Sequence, residues 1–207
     1  MSEPVSRAEQ KERTRRAILD AALTASAENG LAGLSLRQVA KDVGIVPTAF
    51  YRHFDSIDAL GLALVEESFV SLRGMLREVR RGSPAPREII RTSVAVLARH
   101  VEQQRDHFAF IARERAAGSP QVRRAVRHQL ELVERELATD LARISGSAWS
   151  SEDLQVVSAL IVTATVAIVE DLLDPDGRPT ADVLARAEKQ LRMLVVGALQ
   201  WRSDYED

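Results

Sequence analysis

The sequence predicts an all-α fold. Alanine, leucine, arginine and glutamate dominate the 207 residues, and all four are strong helix formers. Aromatic residues make up only 4% of the chain, which disfavours a β-rich fold. Apolar residues recur every three or four positions over long stretches, as in helices with one buried face, and about nine such stretches can be delimited.

The composition limits the class of protein. Hydrophobic residues make up 45% of the chain and charged residues 28%, as in a soluble globular protein. The net charge is -2, so any surface that binds nucleic acid must be local. The chain has no cysteine and hence no disulfide. The longest nearly apolar run, residues 156–169, is shorter than the roughly 20 residues that cross a bilayer, and the N-terminus lacks a signal-peptide core. We therefore expect a cytoplasmic protein without a membrane partner.

The predicted helices follow one another with short breaks. In chain order they span about 8–29, 35–43, 47–53, 56–82, 87–103, 106–116, 121–143, 152–173 and 180–201. The segment SPAP (83–86) is a clear breaker, and Ser151 is expected to cap the eighth helix. The first three helices form a head at residues 1–55, and the others form a larger domain at residues 56–207.

Residues 35–54 predict two short helices joined by a tight turn. Ser35 and Gln38 are spaced as a capping box, in which each side chain satisfies a free amide at the helix start. Gly44 can adopt the left-handed conformation that ends this helix, and Pro47 suits the first turn of the next one. Ala40 is small where the two helices would cross. This arrangement is a helix-turn-helix, whose second helix enters the major groove of DNA.

The exposed face of the second helix favours DNA as its partner. Phe50 and Phe54 are four residues apart and point inward. The outward residues lack a carboxylate; they are Thr48, Ala49, Tyr51, Arg52 and His53. Hydroxyls and cations can contact phosphates, and a small apolar side chain can lie against a thymine methyl. The alternative is an ordinary helical hairpin inside a bundle, whose solvated face would normally carry both signs of charge.

Residues 156–169, VVSALIVTATVAIV, predict a helix that is apolar on every side. Such a helix must be covered all round. One face can pack on its own domain, and we expect the other to meet the same helix of a second subunit across a two-fold axis. A central helix wholly buried within one subunit is the alternative.

An enzyme is the rival class of protein. The histidines show no metal-ligand spacing, and the chain has no nucleophile elbow, phosphate-binding loop or dinucleotide fingerprint. We therefore predict that the protein is not an enzyme. A helical interaction protein with no DNA role is a further alternative.

The chain resembles the TetR family of bacterial transcriptional regulators over its whole length. The resemblance rests on a basic first helix, the segment VAKDVGIVPTAFYRHF (39–54) and a variable helical domain after it. Within the family the chain is most similar to the FabR/DesT-like repressors of unsaturated fatty-acid synthesis and desaturation. That likeness rests on GIVPTAFYRHF (44–54), DALGLALVEES (58–68) and ARERAAGS (112–119). Many relatives outside this group have a DNA-contacting lysine where Gly61 stands here, so only a backbone contact could carry over.

The resemblance implies a homodimer that binds a palindromic operator in double-stranded DNA and represses genes of fatty-acid desaturation. It assigns DNA binding to residues 1–55, and ligand binding and dimerisation to residues 56–207. The effector would be a long-chain acyl-CoA or a similar acyl thioester, with no cofactor. By position in the family motif, the residues that face DNA are Arg37, Thr48, Ala49, Tyr51, Arg52 and His53. A same-fold regulator of another operon, for example for efflux, would respond to a different apolar ligand.

An acyl chain needs a long apolar tunnel. Candidate lining residues are Phe69, Leu97, Val101, Phe108, Ile111 and Leu160, although any helical core has such residues. Arg113 and Glu114 belong to RER (113–115) in a mostly apolar helix, so we expect at least one charge to point inward to a partner. That charge would contact the polar end of the ligand, or pair with Glu170 or Asp171. An exposed helix end that favours arginine is the alternative.

Overall fold

The computed structural model describes residues 6–82, 88–145, 149–174 and 176–201. All regular elements in these ranges are helices, which confirms the predicted all-α fold. In chain order they are α1 (Arg7–Asn29), a 3-10 turn (Leu31–Gly33), α2 (Leu36–Val43), α3 (Pro47–Phe50), α4 (Ile57–Gly82), α5 (Ile89–Gln103), α6 (Arg105–Ala117), α7 (Pro120–Ser145), α8 (Ser151–Leu173) and α9 (Thr180–Gln200). The predicted breaker at 83–86 lies outside the described residues.

Most helix ends lie within two residues of the prediction, and two of the differences concern the residues that end or cap a helix. The helix α3 ends at Phe50, and residues 51–53 continue as turns rather than as helix. The cap of α8 is Ser150, not Ser151. The Ser150 hydroxyl accepts the Asp153 N–H at 3.1 Å, and the Asp153 carboxylate accepts the Ser150 N–H at 3.4 Å. These reciprocal bonds complete a capping box, which fixes the helix start one residue earlier than predicted.

The chain divides into two compact units. Unit 1 comprises Met1–Val70 and Ala109–Val126, and unit 2 comprises Ser71–Phe108 and Arg127–Asp207. The predicted boundary at residue 55 separates roles in DNA binding and ligand binding, and it stays a prediction. Unit 1 extends beyond residue 55 because α4, α6 and α7 contribute buried side chains to it; they are Leu60, Leu64, Val65, Phe69, Phe110, Val122 and Val126.

Unit 1 contains the helix-turn-helix and the core that supports it. Phe50 and Phe54 are buried as predicted, and their ring centroids are 5.8 Å apart. Ala40 is fully buried in α2, which packs against both α1 and α3. Burial of one phenylalanine side chain stabilises a fold by about 1.5–3 kcal/mol, so the two rings are a main source of this unit's stability.

Unit 2 has a separate apolar core. Its buried members are Met75, Val94, Val96, Leu97, Val101, Phe108, Ile168, Val169, Val183, Ala187 and Leu191. These side chains come from α4, α5, α6, α8 and α9, so these five helices share one core.

Helices α8 and α9 pack together and still leave apolar side chains on the surface. We call this the α8–α9 apolar surface; it consists of Val156, Leu160, Met193, Val196 and Leu199. Leu160 is 52% exposed and Met193 67% exposed. The alternative of an α8 wholly buried within one subunit is therefore wrong.

The full length of α8 exceeds the apolar run seen in the sequence. With 23 residues it is long and apolar enough to cross a membrane, by length and composition only. This is weak evidence for a membrane span, because core helices of soluble proteins meet the same requirement.

Candidate nucleic-acid interface

The start of α2 has half of the predicted capping box. The Ser35 hydroxyl accepts the Gln38 N–H at 3.4 Å. The Gln38 side-chain oxygen does not accept the Ser35 backbone N–H; the side chain is directed along the helix, where its Nε2 donates to Asp42 Oδ1 at 2.6 Å. Ser35 therefore caps α2 alone, and the reciprocal half of the prediction is wrong because Asp42 offers a charged acceptor at spacing i, i+4.

The turn between α2 and α3 has the predicted conformation. Gly44 is left-handed, with φ 73° and ψ 30°, and its N–H donates to Lys41 O at 3.1 Å. Ile45 N–H donates to Ala40 O at 2.9 Å, so the carbonyls at the end of α2 are satisfied by the turn. Pro47 occupies the first turn of α3, where a missing N–H costs no hydrogen bond.

The six residues predicted to face DNA lie at or near the surface of unit 1. Arg37, Thr48, Tyr51 and Arg52 are exposed, whereas Ala49 and His53 are half-buried. No carboxylate lies among them. This surface, formed by Arg37, Thr48, Ala49, Tyr51, Arg52 and His53, is called the α3 surface below.

A contact from α1 holds the end of α3 in place. Arg15 Nη1 donates to the backbone oxygen of His53 at 3.1 Å, and its guanidinium lies 4.2 Å from the centroid of the Phe54 ring. Sequence reasoning identified the basic start of α1 but not this contact. No spacing rule could have found it, because the two partners are 38 residues apart along the chain.

The pKa of the His53 ring differs from that of an exposed histidine. Burial and the nearby positive charges of Lys11, Arg15 and Arg52 hold the pKa of His53 below its usual value of 6.5. Its Nδ1 atom is buried and has no hydrogen-bond partner among the described residues. At neutral pH the ring of the free protein is therefore mostly neutral, and it can offer a hydrogen bond.

Gly61, near the start of α4, is buried where α4 lies close to the 3-10 turn and to α7. A β-carbon built there would lie 2.6 Å from Leu31 Cδ1 and 2.9 Å from Val122 Cγ2. Any larger residue would force one of these buried side chains to move. The packing around Gly61 thus leaves no room, without such a movement, for the lysine that the resemblance gives many relatives at this position.

One charge of the RER segment points inward, as predicted. Glu114 is 2% exposed, and its Oε1 accepts the backbone N–H of Leu31 at 2.8 Å. Arg113 and Arg115 are exposed. The inward residue is an acid, so the predicted pairing with the carboxylates of Glu170 or Asp171 does not apply to it. Its Oε1 accepts a backbone amide instead, and such a partner carries no sequence signal.

The predicted ligand-binding residues fall into both units. Leu97, Val101 and Phe108 are buried together in the core of unit 2, whereas Leu160 lies on the α8–α9 apolar surface. The other four belong to unit 1; they are Phe69, Ile111, Arg113 and Glu114. Among the described residues, no cluster of three or more histidine and carboxylate side chains could hold a metal ion.

Structures of known regulators share this fold. A transcriptional regulator from Rhodococcus sp. has a TM-score of 0.71 and 22% identity, and the match covers 88% of this chain and 96% of that one. Salmonella enterica GusR has a TM-score of 0.69 and 22% identity, with coverage of 97% and 99%. A transcriptional regulator of the "TerR/AcrR family" from Aquifex aeolicus has a TM-score of 0.65 and 18% identity, with coverage of 87% and 99%.

Family profiles match both parts of the chain. Residues 18–64 match the profile described as "Bacterial regulatory proteins, tetR family". Residues 86–197 match the profile described as "Tetracyclin repressor-like, C-terminal domain". The first match contains the complete helix-turn-helix, and the second spans more than half of the chain. The chain therefore belongs to the TetR family of DNA-binding transcriptional regulators.

Proposed function

We propose that the protein represses genes for unsaturated fatty-acid synthesis or desaturation and senses long-chain acyl-CoA. The observation that carries its DNA-binding role is the α3 surface, where hydroxyl and cationic groups stand without a carboxylate. The likeness of residues 44–54, 58–68 and 112–119 to FabR/DesT-like repressors supports the choice of genes and effector. The protein acts in the cytoplasm, where its operator lies.

The α3 surface offers two kinds of DNA contact. Tyr51 and His53 supply hydrogen-bonding groups that suit phosphates, and such contacts position a protein on the duplex without reading sequence. Thr48 and Ala49 are small enough to approach base edges, where a methyl group can meet a thymine methyl. Arg37, exposed on α2, adds a positive charge.

A homodimer would cover the α8–α9 apolar surface. Val156 and Leu160 share one face of α8 because they are four residues apart, and Met193 and Val196 are three apart on α9. Exposed apolar side chains on two packed helices favour an interaction site on these helices. A two-fold axis through this surface would present two heads to two half-sites about 34–36 Å apart.

Ligand binding can reach the DNA head through helices that contribute residues to both units. Helices α4 and α6 each do so. A ligand alters operator affinity only if it binds one conformation better than another, and typical couplings are about 1–3 kcal/mol. A shift of α4 would change the separation of the two heads and so the fit to the operator.

A regulator of another operon, for example for efflux, is the second candidate. It would respond to a different apolar ligand. The environment of Glu114 favours this alternative, because its Oε1 is already bonded to the Leu31 amide rather than directed to the polar end of a ligand.

Gel shifts with two acyl-CoA molecules test the proposed effector. An operator is first selected from a random DNA pool with the purified protein, and oleoyl-CoA and palmitoyl-CoA are then added at equal concentration. We expect unequal effects on operator affinity. Equal effects of both exclude a saturation sensor, and no effect of either favours the second candidate.

The variant Tyr51→Ala tests the α3 surface itself. We expect operator affinity to fall about tenfold, equivalent to ~1.4 kcal/mol, because a phosphate contact is lost. Tyr51→Phe removes the same hydroxyl but keeps the ring that packs edge-on against Phe50, so we expect it to lose operator affinity to a similar extent without disturbing that packing. Unchanged affinity of Tyr51→Ala would contradict a DNA-binding role for α3.

A further inference from the structure

Glu114 is a buried charge at the end of α6. It is the only charged side chain in the buried class among the residues whose burial is described. Burying a carboxylate is costly unless hydrogen bonds compensate it. The compensation is the N–H of Leu31, 2.8 Å from Oε1, and the second oxygen, Oε2, is buried without a hydrogen-bond partner among the described residues.

Two glycines leave the space that this carboxylate fills. Gly30 has a positive φ of 69°, and a β-carbon there would lie 3.1 Å from Glu114 Oε1. A β-carbon on Gly118 would lie 2.6 Å from the Glu114 backbone oxygen and 2.7 Å from Oε2. Side chains at either position would meet the carboxylate. A glycine on each of two sides therefore leaves room for the Glu114 carboxylate.

The hydrogen bond fixes the turn that leads into the helix-turn-helix. Leu31 begins the 3-10 turn between α1 and α2, and Ser35 caps α2 four residues later. The Leu31 side chain is itself buried in the close approach with Gly61 and Val122. Its backbone amide and side chain are both held, so the position of this turn depends on α6 as well as on the head.

Helix α6 contributes a second buried side chain to unit 1. Phe110 is fully buried there, and Glu114 follows it by four residues on the same helical face. Burial of Phe110 therefore holds the face of α6 that carries the Glu114 side chain.

We propose that Glu114 is a positioning residue for DNA binding, which holds the helix-turn-helix through the Leu31 amide and links it to α6. This inference rests on the DNA-binding role of the α3 surface and does not depend on the nature of the effector. Loss of the hydrogen bond leaves the α3 surface intact but lets the turn before α2 move.

Three variants of the full chain test the role of Glu114 by operator binding. Glu114→Ala removes the acceptor, and we expect operator affinity to fall about tenfold. Glu114→Gln keeps an oxygen that can accept the Leu31 N–H, and we expect it to restore affinity to within about threefold of the unaltered protein. Glu131→Ala, at an exposed position on α7, is the matched control and should have no effect.

The outcomes separate a positioning role from a purely structural one. Thermal unfolding is measured in parallel, and binding is assayed well below the transition. Glu114→Ala with a lowered Tm but unchanged operator affinity would overturn the proposal. Equal losses in Glu114→Gln and Glu114→Ala would overturn it as well, because the charge rather than the hydrogen bond would then matter.

A further variant covers the case in which Glu114→Ala does not fold. Glu114→Asp keeps the charge and withdraws the carboxylate by one methylene, so it should bind the operator more weakly than Glu114→Gln; the reverse order would overturn the proposal.

Tyr51→Ala separates failure of the DNA-binding role of α3 from failure of the positioning role of Glu114. If it has no effect, the DNA-binding role of α3 fails. If Tyr51→Ala weakens binding and the Glu114 variants do not, the present inference alone fails.

Discussion

Arg15 shows how single residues set the α3 surface. Its guanidinium makes a hydrogen bond to the His53 carbonyl and lies over the Phe54 ring, so one side chain joins α1 to the end of α3. A cation over an aromatic face contributes about 0.5–2 kcal/mol, depending on its desolvation. Its positive charge also lowers the pKa of His53, although burial has the larger effect.

The lowered pKa of His53 makes stability depend on pH. Above pH 6.5 the ring is neutral in both the folded and the unfolded chain. As the pH falls below 6.5 the unfolded chain binds the proton first, so the free energy of unfolding decreases until the folded pKa is passed. NMR titration of the His53 ring should give a pKa below 6.5. The variant His53→Gln should lose this part of the pH dependence; a ring that titrates at or above 6.5 would contradict the assignment.

At the scale of elements, most of the fold could be predicted from the sequence, because helix starts and stops are local signals. Gly44 and Pro47 mark the turn of the helix-turn-helix, and both have their predicted roles. The partner of Gln38 was missed because Asp42 offers an acceptor one turn away, and the length of α3 was missed because residues 51–53 form turns instead of a further helical turn. The partner of Glu114 could not be predicted, since the bond joins residues 83 positions apart and ends on a backbone amide.

The turn after α2 provides a test at this scale. Gly44 has φ 73° and an added β-carbon would meet nothing within 4 Å, so Gly44→Ala introduces backbone strain without a clash. We expect the free energy of unfolding to fall by about 1–2 kcal/mol in urea denaturation. Gly74→Ala is the matched control: it also meets nothing, but lies inside α4, where alanine is favoured by roughly 0.5–1 kcal/mol. If Gly44→Ala were as stable as the unaltered chain, or more stable, the left-handed conformation of Gly44 would be refuted.

At the scale of the whole molecule, the division into units could not be predicted from the sequence. The predicted boundary at residue 55 follows the end of the helix-turn-helix motif and concerns function, whereas a packing unit includes any element that buries side chains in its core. Residues 109–126 join unit 1 although they are far along the chain. Membership of the TetR family could be predicted from residues 39–54. The effector could not, because the apolar side chains that would line its pocket are of the kind found in any helical core.

The α8–α9 apolar surface provides a test at the whole-molecule scale. We expect the unaltered chain to sediment as a dimer at micromolar concentration. Leu160→Glu places a charge on the proposed interface and should shift the protein to a monomer in analytical ultracentrifugation, with a weaker operator complex. Val70→Glu, at an exposed apolar position on α4, is the control and should remain dimeric. A dimer in both variants would place the interface elsewhere.

The shortness of α3 limits how much information one head can read. Four helical residues rise about 6 Å, less than two base-pair steps of 3.4 Å, so one head contacts the edges of only a few base pairs. A pattern of about four base pairs recurs by chance roughly every few hundred base pairs, among the millions of competing sites in a genome. Two such patterns at a fixed distance recur about once in tens of thousands of base pairs, on the order of the square of that interval. In the proposed dimer, a fixed distance between the two heads would therefore make a matching site roughly a few hundred times rarer than one half-site alone.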